Sequence, residues 1–512
     1  MTDSAADWEA CARFLADPAT HGGHPVEVID THTAVIALSG ERAWKLRRPV
    51  DFGWLDYATR ARRRVCAERE VAWNAPTAPG LYIGIGAIAG GPGAHRLEPP
   101  GEATDDSEPL VVMRRFPDDA LFDRMAQAGR LDAPLLRRTA HVVAAMHRRA
   151  PDEGVRLRLP ALATQEWEDL SGLWGVLGRD RVMPVAEALR ARTDAMGDAL
   201  ARPVRRCHGD LHLRNIVLWQ GAPAPFDCIE FSEDLSHIDP LYDLAFLLMD
   251  LEHRGLAPLA NAVLNAWAEA MAAEPASQAE TAYGGLQLLP LYKAFRAEIR
   301  AKIDAYAIAN AEGAAAEALR AEAHAYLDLA KAYLAPAPQP WLVAIGGRSG
   351  TGKSTLARAI AGTKGAVLLR SDAVRKGQAG VAETDKLPPE AYGPGTSERV
   401  YATMRARAGQ ALAAGLPVIL DAAHLRESER SDAATLAAMH GATFLGLWLE
   451  APRGLLAARV AARTNDASDA DAGVVSRQFS FEIGPLGDWV TLDAARPTAM
   501  LAAEAEALIA TA

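Results

Sequence analysis

Two short runs of residues in this chain have the types and spacing for phosphate chemistry. The first is Gly347-Arg348-Ser349-Gly350-Thr351-Gly352-Lys353-Ser354-Thr355, set between the apolar run 341–346 and a helical pattern that continues to Gly362. A triphosphate needs several backbone N–H groups converging on one point, and glycines at 347, 350 and 352 permit the positive φ this requires. The helix that follows turns its electropositive N-terminus to the same anion. In this pattern Lys353 reaches the β- and γ-phosphates and the Ser354 hydroxyl ligates Mg²⁺, so ATP and Mg²⁺ are the expected ligands.

The second run is His208-Gly209-Asp210-Leu211-His212-Leu213-Arg214-Asn215, followed by Asp227. A carboxylate, an amide and a second carboxylate at these spacings can share one loop and the hairpin after it. Metal-assisted phosphoryl transfer needs such a set: Asp210 as a base near the acceptor hydroxyl, with Asn215 and Asp227 offering oxygens to Mg²⁺. Asp and Asn also brace loops through backbone hydrogen bonds, and that reading stands beside the catalytic one.

Further acids close apolar runs. In parallel sheets ligands sit at the carboxyl ends of the strands, so Asp372, just after the run 366–369, should face the same crevice as Lys353. There it can accept a hydroxyl proton, and Arg375 can hold an anionic acceptor; a helix N-cap is the competing reading of Asp372. Asp421 closes the run 417–420 and suits a water-mediated Mg²⁺ contact with Ser354. Arg426 follows it as a candidate substrate contact. Arg459 and Arg463 fall four apart on one helix face ahead of the polar loop 464–469; for Arg459 a solvated face is the plain alternative.

The elements that must position these groups are legible in outline. At 512 residues the chain exceeds one core, and two to four domains are expected. Up to about residue 116 the pattern is mostly β with one helix: a strand over 27–38, a turn at Ser39–Glu41, a strand carrying Lys45, a helix over 57–74, a glycine-rich loop from Gly90 to Gly101, and a strand over 110–116. Residues 117–334 read as largely helical, interrupted by the Asp210 motif and a buried hairpin. Three prolines in 335–340 forbid a continuous helix and predict a linker between separately folded parts. From 341 onward, apolar runs at 341–345, 366–369, 417–420 and 443–449, with a possible fifth at 489–492, alternate with helices, which predicts a parallel sheet covered on both faces.

Composition is that of a soluble globular chain, 50% apolar and 23% charged with a formal net charge of −11. The acidity argues against a nucleic-acid partner. No apolar run is long enough to span a bilayer and the start is not signal-like, so a cytoplasmic protein with no membrane partner is expected. The four cysteines form no C-x-x-C pair and read as small buried hydrophobes. Nothing in the sequence bears on oligomeric state.

The Asp210 motif with Asp227 resembles the aminoglycoside phosphotransferase-like kinases, relatives of the protein kinases. Thr31-His32-Thr33, Trp44-Lys45-Leu46, the stretch Pro49–Asp56 and Asp239–Ala245 extend the likeness over about residues 25–330 and are similar to a bacterial subfamily often fused to a P-loop kinase. The resemblance implies a bilobal fold, with a small lobe at about 25–116 and a large lobe at about 117–334. It implies that Lys45 contacts the nucleotide phosphates, that Glu70 (or Glu68) pairs with it, and that Asp243 braces the catalytic loop. No G-x-G-x-x-G precedes Lys45, so the phosphate-covering loop would come from the Thr31–Gly40 region.

Residues 341–510 resemble small-molecule P-loop kinases, the gluconate- and polynucleotide-kinase-like group of AAA-type ATPases, in which Arg459 and Arg463 would belong to a lid. The expected whole is an α/β and α+β chain of two fused ATP-dependent kinases, residues 1–334 and 341–512, acting on hydroxyls of a small sugar, polyol or related metabolite. The alternatives are that one half is the only kinase and the other a nucleotide-binding module, or that the second half phosphorylates nucleic-acid ends.

Overall fold

The computed structural model describes residues 5–104, 106–156, 168, 172–273, 282–309, 311–383, 385–462, 468, 469 and 472–511. The chain divides into two compact units, residues 1–154 with 203–247, and residues 155–202 with 248–512.

The first unit is built on a six-stranded antiparallel sheet. Its order is Glu27–Asp30, Ala34–Ser39, Arg42–Arg47, Glu108–Arg114, Tyr82–Ala89, Arg96–Glu98. Side chains alternate across a strand, and the two faces are used differently. Trp44, Leu46, Leu110 and Val112 pack against Trp8, Cys11 and Leu15 of the helix Ala5–Ala16. Ala43, Val111 and Met113 turn the other way, toward Ala67 and Val71 of the helix Arg60–Asn74. Alternation therefore sends Lys45 and Arg47 to that second face as well. Behind the sheet sequence, the hairpin Ile216–Trp219 and Ala222–Pro225 follows the Asp210 loop.

Three expectations for this region change. The strand expected over 27–38 is two antiparallel strands, because the Thr31 hydroxyl both donates to the Ala34 carbonyl (2.8 Å) and accepts the Ala34 N–H (3.0 Å), turning the chain. The loop from Gly90 to Gly101 contains the strand Arg96–Glu98. The strand Tyr82–Ala89 and the helix Ala5–Ala16 were not expected at all; two glycines and two alanines among eight residues hide the former from a β-propensity reading.

The second unit carries a five-stranded, wholly parallel sheet in the order Val367–Arg370, Val418–Asp421, Trp341–Gly347, Thr443–Glu450, Val490–Asp493. The fifth strand of the sequence reading is present. Val343, Ile345, Ile419, Leu447 and Leu449 meet Leu356, Ala357, Ile360 and Ala361 of the helix Lys353–Lys364, and Leu501 and Ala505 of the helix Thr498–Thr511. Residues 335–340 form neither helix nor strand and lie between Gly313–Leu334 and the central strand. Among the described residues no helix is long and apolar enough to cross a membrane.

Candidate active sites

In the first unit, strand alternation brings Lys45 to the buried Glu70, with Nζ 3.1 Å from Oε2. Glu68, the alternative, is exposed on the same helix. Lys45 also bonds Asp227. Burial alone would favour a neutral lysine, but Asp227 and Glu70 raise its pKa well above the ordinary value and keep it charged. Desolvation pushes the Asp227 carboxyl up, and Lys45, by charge and hydrogen bond, overrides it and leaves Asp227 below the usual range. Asp227 sits at φ +58°, a left-handed conformation that Asp tolerates better than most residues. Its N–H donates to the Tyr82 hydroxyl (3.0 Å).

Glu70 is shared. It also bonds Arg47, which bonds a second glutamate, Glu230, at 2.8 Å, and the Tyr57 hydroxyl donates to the same Glu230 oxygen at 2.6 Å. Burial raises the Glu70 carboxyl above its ordinary value, with Lys45 and Arg47 pulling it back. Arg47, Glu230 and Tyr57 were not singled out from the sequence. The strand periodicity that placed Lys45 also placed Arg47, two residues on, but nothing local pointed to Glu230.

The Asp210 loop is held from several sides. Asn215 Nδ2 donates to the Asp210 carbonyl and to Asp210 Oδ2, both at 2.9 Å, and His212 Nε2 lies 3.3 Å from Oδ2. Buried Asp243 accepts the N–H groups of His208 (3.1 Å) and Gly209 (2.8 Å), and lies 2.9 Å from His147 Nε2. His208 is buried, which lowers its pKa; its Nε2 faces the Phe226 carbonyl at 2.9 Å, so that nitrogen carries the proton of a neutral ring. Gly209 has φ +84°, and a Cβ there would stand 2.9 Å from the Leu235 carbonyl oxygen. Gly209→Ala is therefore expected to destabilise the protein by about 1–3 kcal/mol, read as a lowered urea midpoint; an unchanged midpoint would show that the loop can move aside.

In the second unit, one cavity of about 1020 Å³ is lined by Ser349 through Thr355, Asp372, Arg375, Asp421, Arg426 and Arg459. These residues are spread over positions 349–459, and the parallel sheet brings them together: Ile345 and Arg370 both register with Asp421, so three strand ends converge. Gly350 has φ +91° and a Cβ there would meet the Leu456 carbonyl oxygen at 2.8 Å, so only glycine fits the loop beside the helix Arg453–Ala461. Lys353 Nζ donates to the Arg348 carbonyl at 2.9 Å.

Asp372 is the second residue of the helix Ser371–Gln378, whose N-cap position is Arg370, so the capping alternative gives way. Burial, then the nearby Asp421, raise the Asp372 carboxyl above its ordinary value, while Ser468, Lys353 and Arg375 act against the shift. Arg375, 7% exposed, donates to the Ala391 carbonyl (2.7 Å) and lies 4.8 Å from the Tyr392 ring centre. Arg426 is exposed at the head of the helix Glu427–Met439. Arg459 donates to the Ala494 carbonyl at 2.9 Å, so it is not a simply solvated group. Arg463 lies outside the described residues. Asp469, at the end of the polar loop, was missed as a hub: it accepts from buried Lys376 (3.0 Å), the Tyr392 hydroxyl (2.6 Å) and the Leu387 N–H (2.9 Å). Gln478 was missed too; its Oε1 accepts the Ser349 N–H at 2.7 Å.

Comparison with known proteins agrees with both halves of this description. Residues 88–279 match the family described as "Phosphotransferase enzyme family" and residues 342–481 the family described as "AAA domain". An uncharacterized protein of Mycobacterium tuberculosis strain H37Rv and one of Mycobacterium bovis are each 31% identical over 492 residues, covering 91% of this chain and 94% of theirs. The chain belongs to this family of fused phosphotransferase and P-loop proteins.

Solved structures similar to parts of the fusion protein include a gluconokinase from Sinorhizobium meliloti 1021, 24% identical over 34% of this chain and 93% of that one, with a TM-score of 0.25. A choline/ethanolamine kinase family protein from Mesorhizobium loti is 17% identical over 64% of this chain and 98% of that one, with a TM-score of 0.37. The phosphotransferase match contains Asp210, Asn215 and Asp227 but begins after Lys45 and Glu70. The AAA match holds the phosphate loop, Asp372, Asp421, Arg459 and Gln478. The fusion protein thus carries a phosphotransferase-family domain followed by a P-loop AAA domain.

Proposed function

We propose that the fusion protein uses ATP and Mg²⁺ at two separate sites, each passing a phosphoryl group to a hydroxyl of a small molecule such as a sugar or polyol. The observation that carries this reading is the second-unit cavity, where the phosphate loop, Asp372, Asp421 and Arg375 line one space of about 1020 Å³. That is of the order needed for a nucleotide and a small acceptor together. An ATP donor also fits a cytoplasmic location.

The donor sets are hard oxygens, which suits Mg²⁺. Ser354 and Asp421 would hold the ion in one site, Asn215 and Asp227 in the other, and it would neutralise charge on the phosphates. The chain's own groups do the rest. Lys353 has its ammonium at the phosphate loop, and the loop's N–H groups orient the donor. Asp372, whose raised pKa makes it a better proton acceptor than an ordinary aspartate, takes the acceptor's hydroxyl proton. Buried Arg375 orients an acceptor that carries negative charge. In the first unit Lys45 stays protonated for the donor phosphates, and Asp210, fixed by Asn215 and His212, serves as the base.

The test is acceptor-dependent ADP release across sugars, polyols, nucleosides and aminoglycosides, for the unaltered protein and for Lys45→Ala, Asp210→Ala, Lys353→Ala and Asp372→Ala. Two acceptor activities are expected, one lost with the first pair of variants and one with the second. Loss with the second pair only would make the first half a nucleotide-binding module. No acceptor above background, with ATP binding intact, would sink the phosphotransfer reading.

A further inference from the structure

Residues 257–271 fall within the span matched to the phosphotransferase family, yet their helix, Ala257–Met271, belongs to the second compact unit. There it runs along Val367–Arg370, the strand at the edge of the parallel sheet. An edge strand presents N–H and C=O groups that no neighbouring strand satisfies. Of three polar residues spaced four apart, two meet such groups and the third meets a side chain of the strand. Asn261 Nδ2 and Asn265 Nδ2 each donate to the Ala366 carbonyl at 3.0 Å, and Asn265 Oδ1 accepts the Leu368 N–H at 2.7 Å. Glu269 accepts from Arg370 Nη2 at 2.9 and 3.0 Å. The repeats match, since four helical residues rise about 6 Å and two strand residues about 6.6 Å. The helix thus satisfies two backbone groups at this edge, the Ala366 carbonyl and the Leu368 N–H.

The same segment reaches the two helices that bear the site. A Cβ on Gly362, in the phosphate-loop helix, would stand 3.6 Å from Pro258 Cβ; one on Gly377, in the Asp372 helix, would stand 3.3 Å from Ala273 Cα. Arg370 lines the cavity and is 7% exposed, and its Nη2 is shared between Glu269 and Glu383, the latter at 2.5 Å.

We infer that the helix Ala257–Met271 is part of the scaffold of the phosphate-loop site and that Glu269 is a positioning residue for Asp372, acting through Arg370. Arg370 is the last residue of its strand and Asp372 the second of the helix that follows, so the anchor on the guanidinium sets where that helix begins. Held by two glutamates, Arg370 is also kept from turning to Asp421 and Asp372 and neutralising the acids the reaction uses. An event that shifts the helix Ala257–Met271 then reaches Asp372.

The kinetic part rests on the phosphotransfer reading proposed above, and the experiment separates the two. Full-length Glu269→Ala, Glu269→Gln and Asn265→Leu are compared with the unaltered protein by hydrogen exchange and by acceptor-dependent ADP release. Exchange over residues 366–378 is expected to rise about tenfold or more in Glu269→Ala and Asn265→Leu, with residues 353–364 changing less than about twofold. The kcat of the Lys353-dependent reaction should fall about tenfold in Glu269→Ala with little change in the KM for ATP, and Glu269→Gln, which keeps an acceptor oxygen, should recover part of it. Unchanged exchange overturns the scaffold inference. Raised exchange with unchanged kcat overturns the positioning role. If the unaltered protein has no Lys353-dependent turnover, the phosphotransfer reading and the positioning role fall together, and exchange alone decides the scaffold.

Discussion

Replacing Asp372 by Asn lowers turnover at the phosphate-loop site by roughly 10²–10⁴-fold, the usual contribution of a general base. Asparagine keeps the shape and cannot take a proton, so ATP affinity should change little, and the Asp210-dependent reaction should continue. The pH profile gives a second reading of the same group. A base works in its deprotonated form, so the rate rises with pH through its pKa. Burial and Asp421 hold that pKa above the ordinary aspartate value of 3.8, which places the acid limb of kcat at higher pH than an exposed aspartate would give. Asp421→Asn removes one of the two causes and should move the limb to lower pH, whatever it costs in absolute rate. An acid limb that stays in place in Asp421→Asn, or near-normal turnover in Asp372→Asn, would take Asp372 out of the base role.

The parts of this protein that the sequence made legible are those whose chemistry is local. The phosphate loop and the Asp210–Asn215 loop each fit within eight consecutive residues, and their spacing is set by backbone geometry rather than by distant packing. The parallel sheet was legible for a related reason, since short apolar runs between helices leave few other arrangements. What was hidden depended on contacts between distant residues. Glu230 lies 183 positions from Arg47, and Asn265 lies 103 from Leu368; no periodicity joins either pair. Tyr82–Ala89 was hidden because its glycines and alanines say little about β structure until neighbouring strands supply the partners. Whether Asp372 caps its helix turned on where that helix starts, and boundaries are the least readable feature of a sequence. Glu70 over Glu68 was likewise a question of helix phase: only one of two residues two apart can face the sheet.

The buried charges around Lys45 give the largest stability effect. Arg47 is 1% exposed and faces two glutamates, Glu70 and Glu230, both nearly without solvent access. Arg47→Met fills similar volume but leaves Glu70 with Lys45 and the Tyr82 hydroxyl, and Glu230 with the Tyr57 hydroxyl. Breaking a buried pair in this way costs about 3–5 kcal/mol, read as a lower urea midpoint in the full-length protein, and Lys45, drawn further toward Glu70, should bind the donor less well. The loss should depend on pH in a defined direction. Glu70 already has a raised carboxyl in the folded state, and without Arg47 it rises further. A carboxyl raised above its unfolded value binds more protons folded than unfolded, so stability falls as pH climbs from the unfolded value, 4.5, through the folded one. The gap between Arg47→Met and the unaltered protein should therefore be widest at neutral pH and shrink toward pH 4.5. Adding Glu230→Gln to Arg47→Met removes one of the stranded charges and should recover part of the midpoint. A deficit that is constant with pH and indifferent to Glu230→Gln would mean that packing, rather than charge pairing, holds this side of the sheet to its helix.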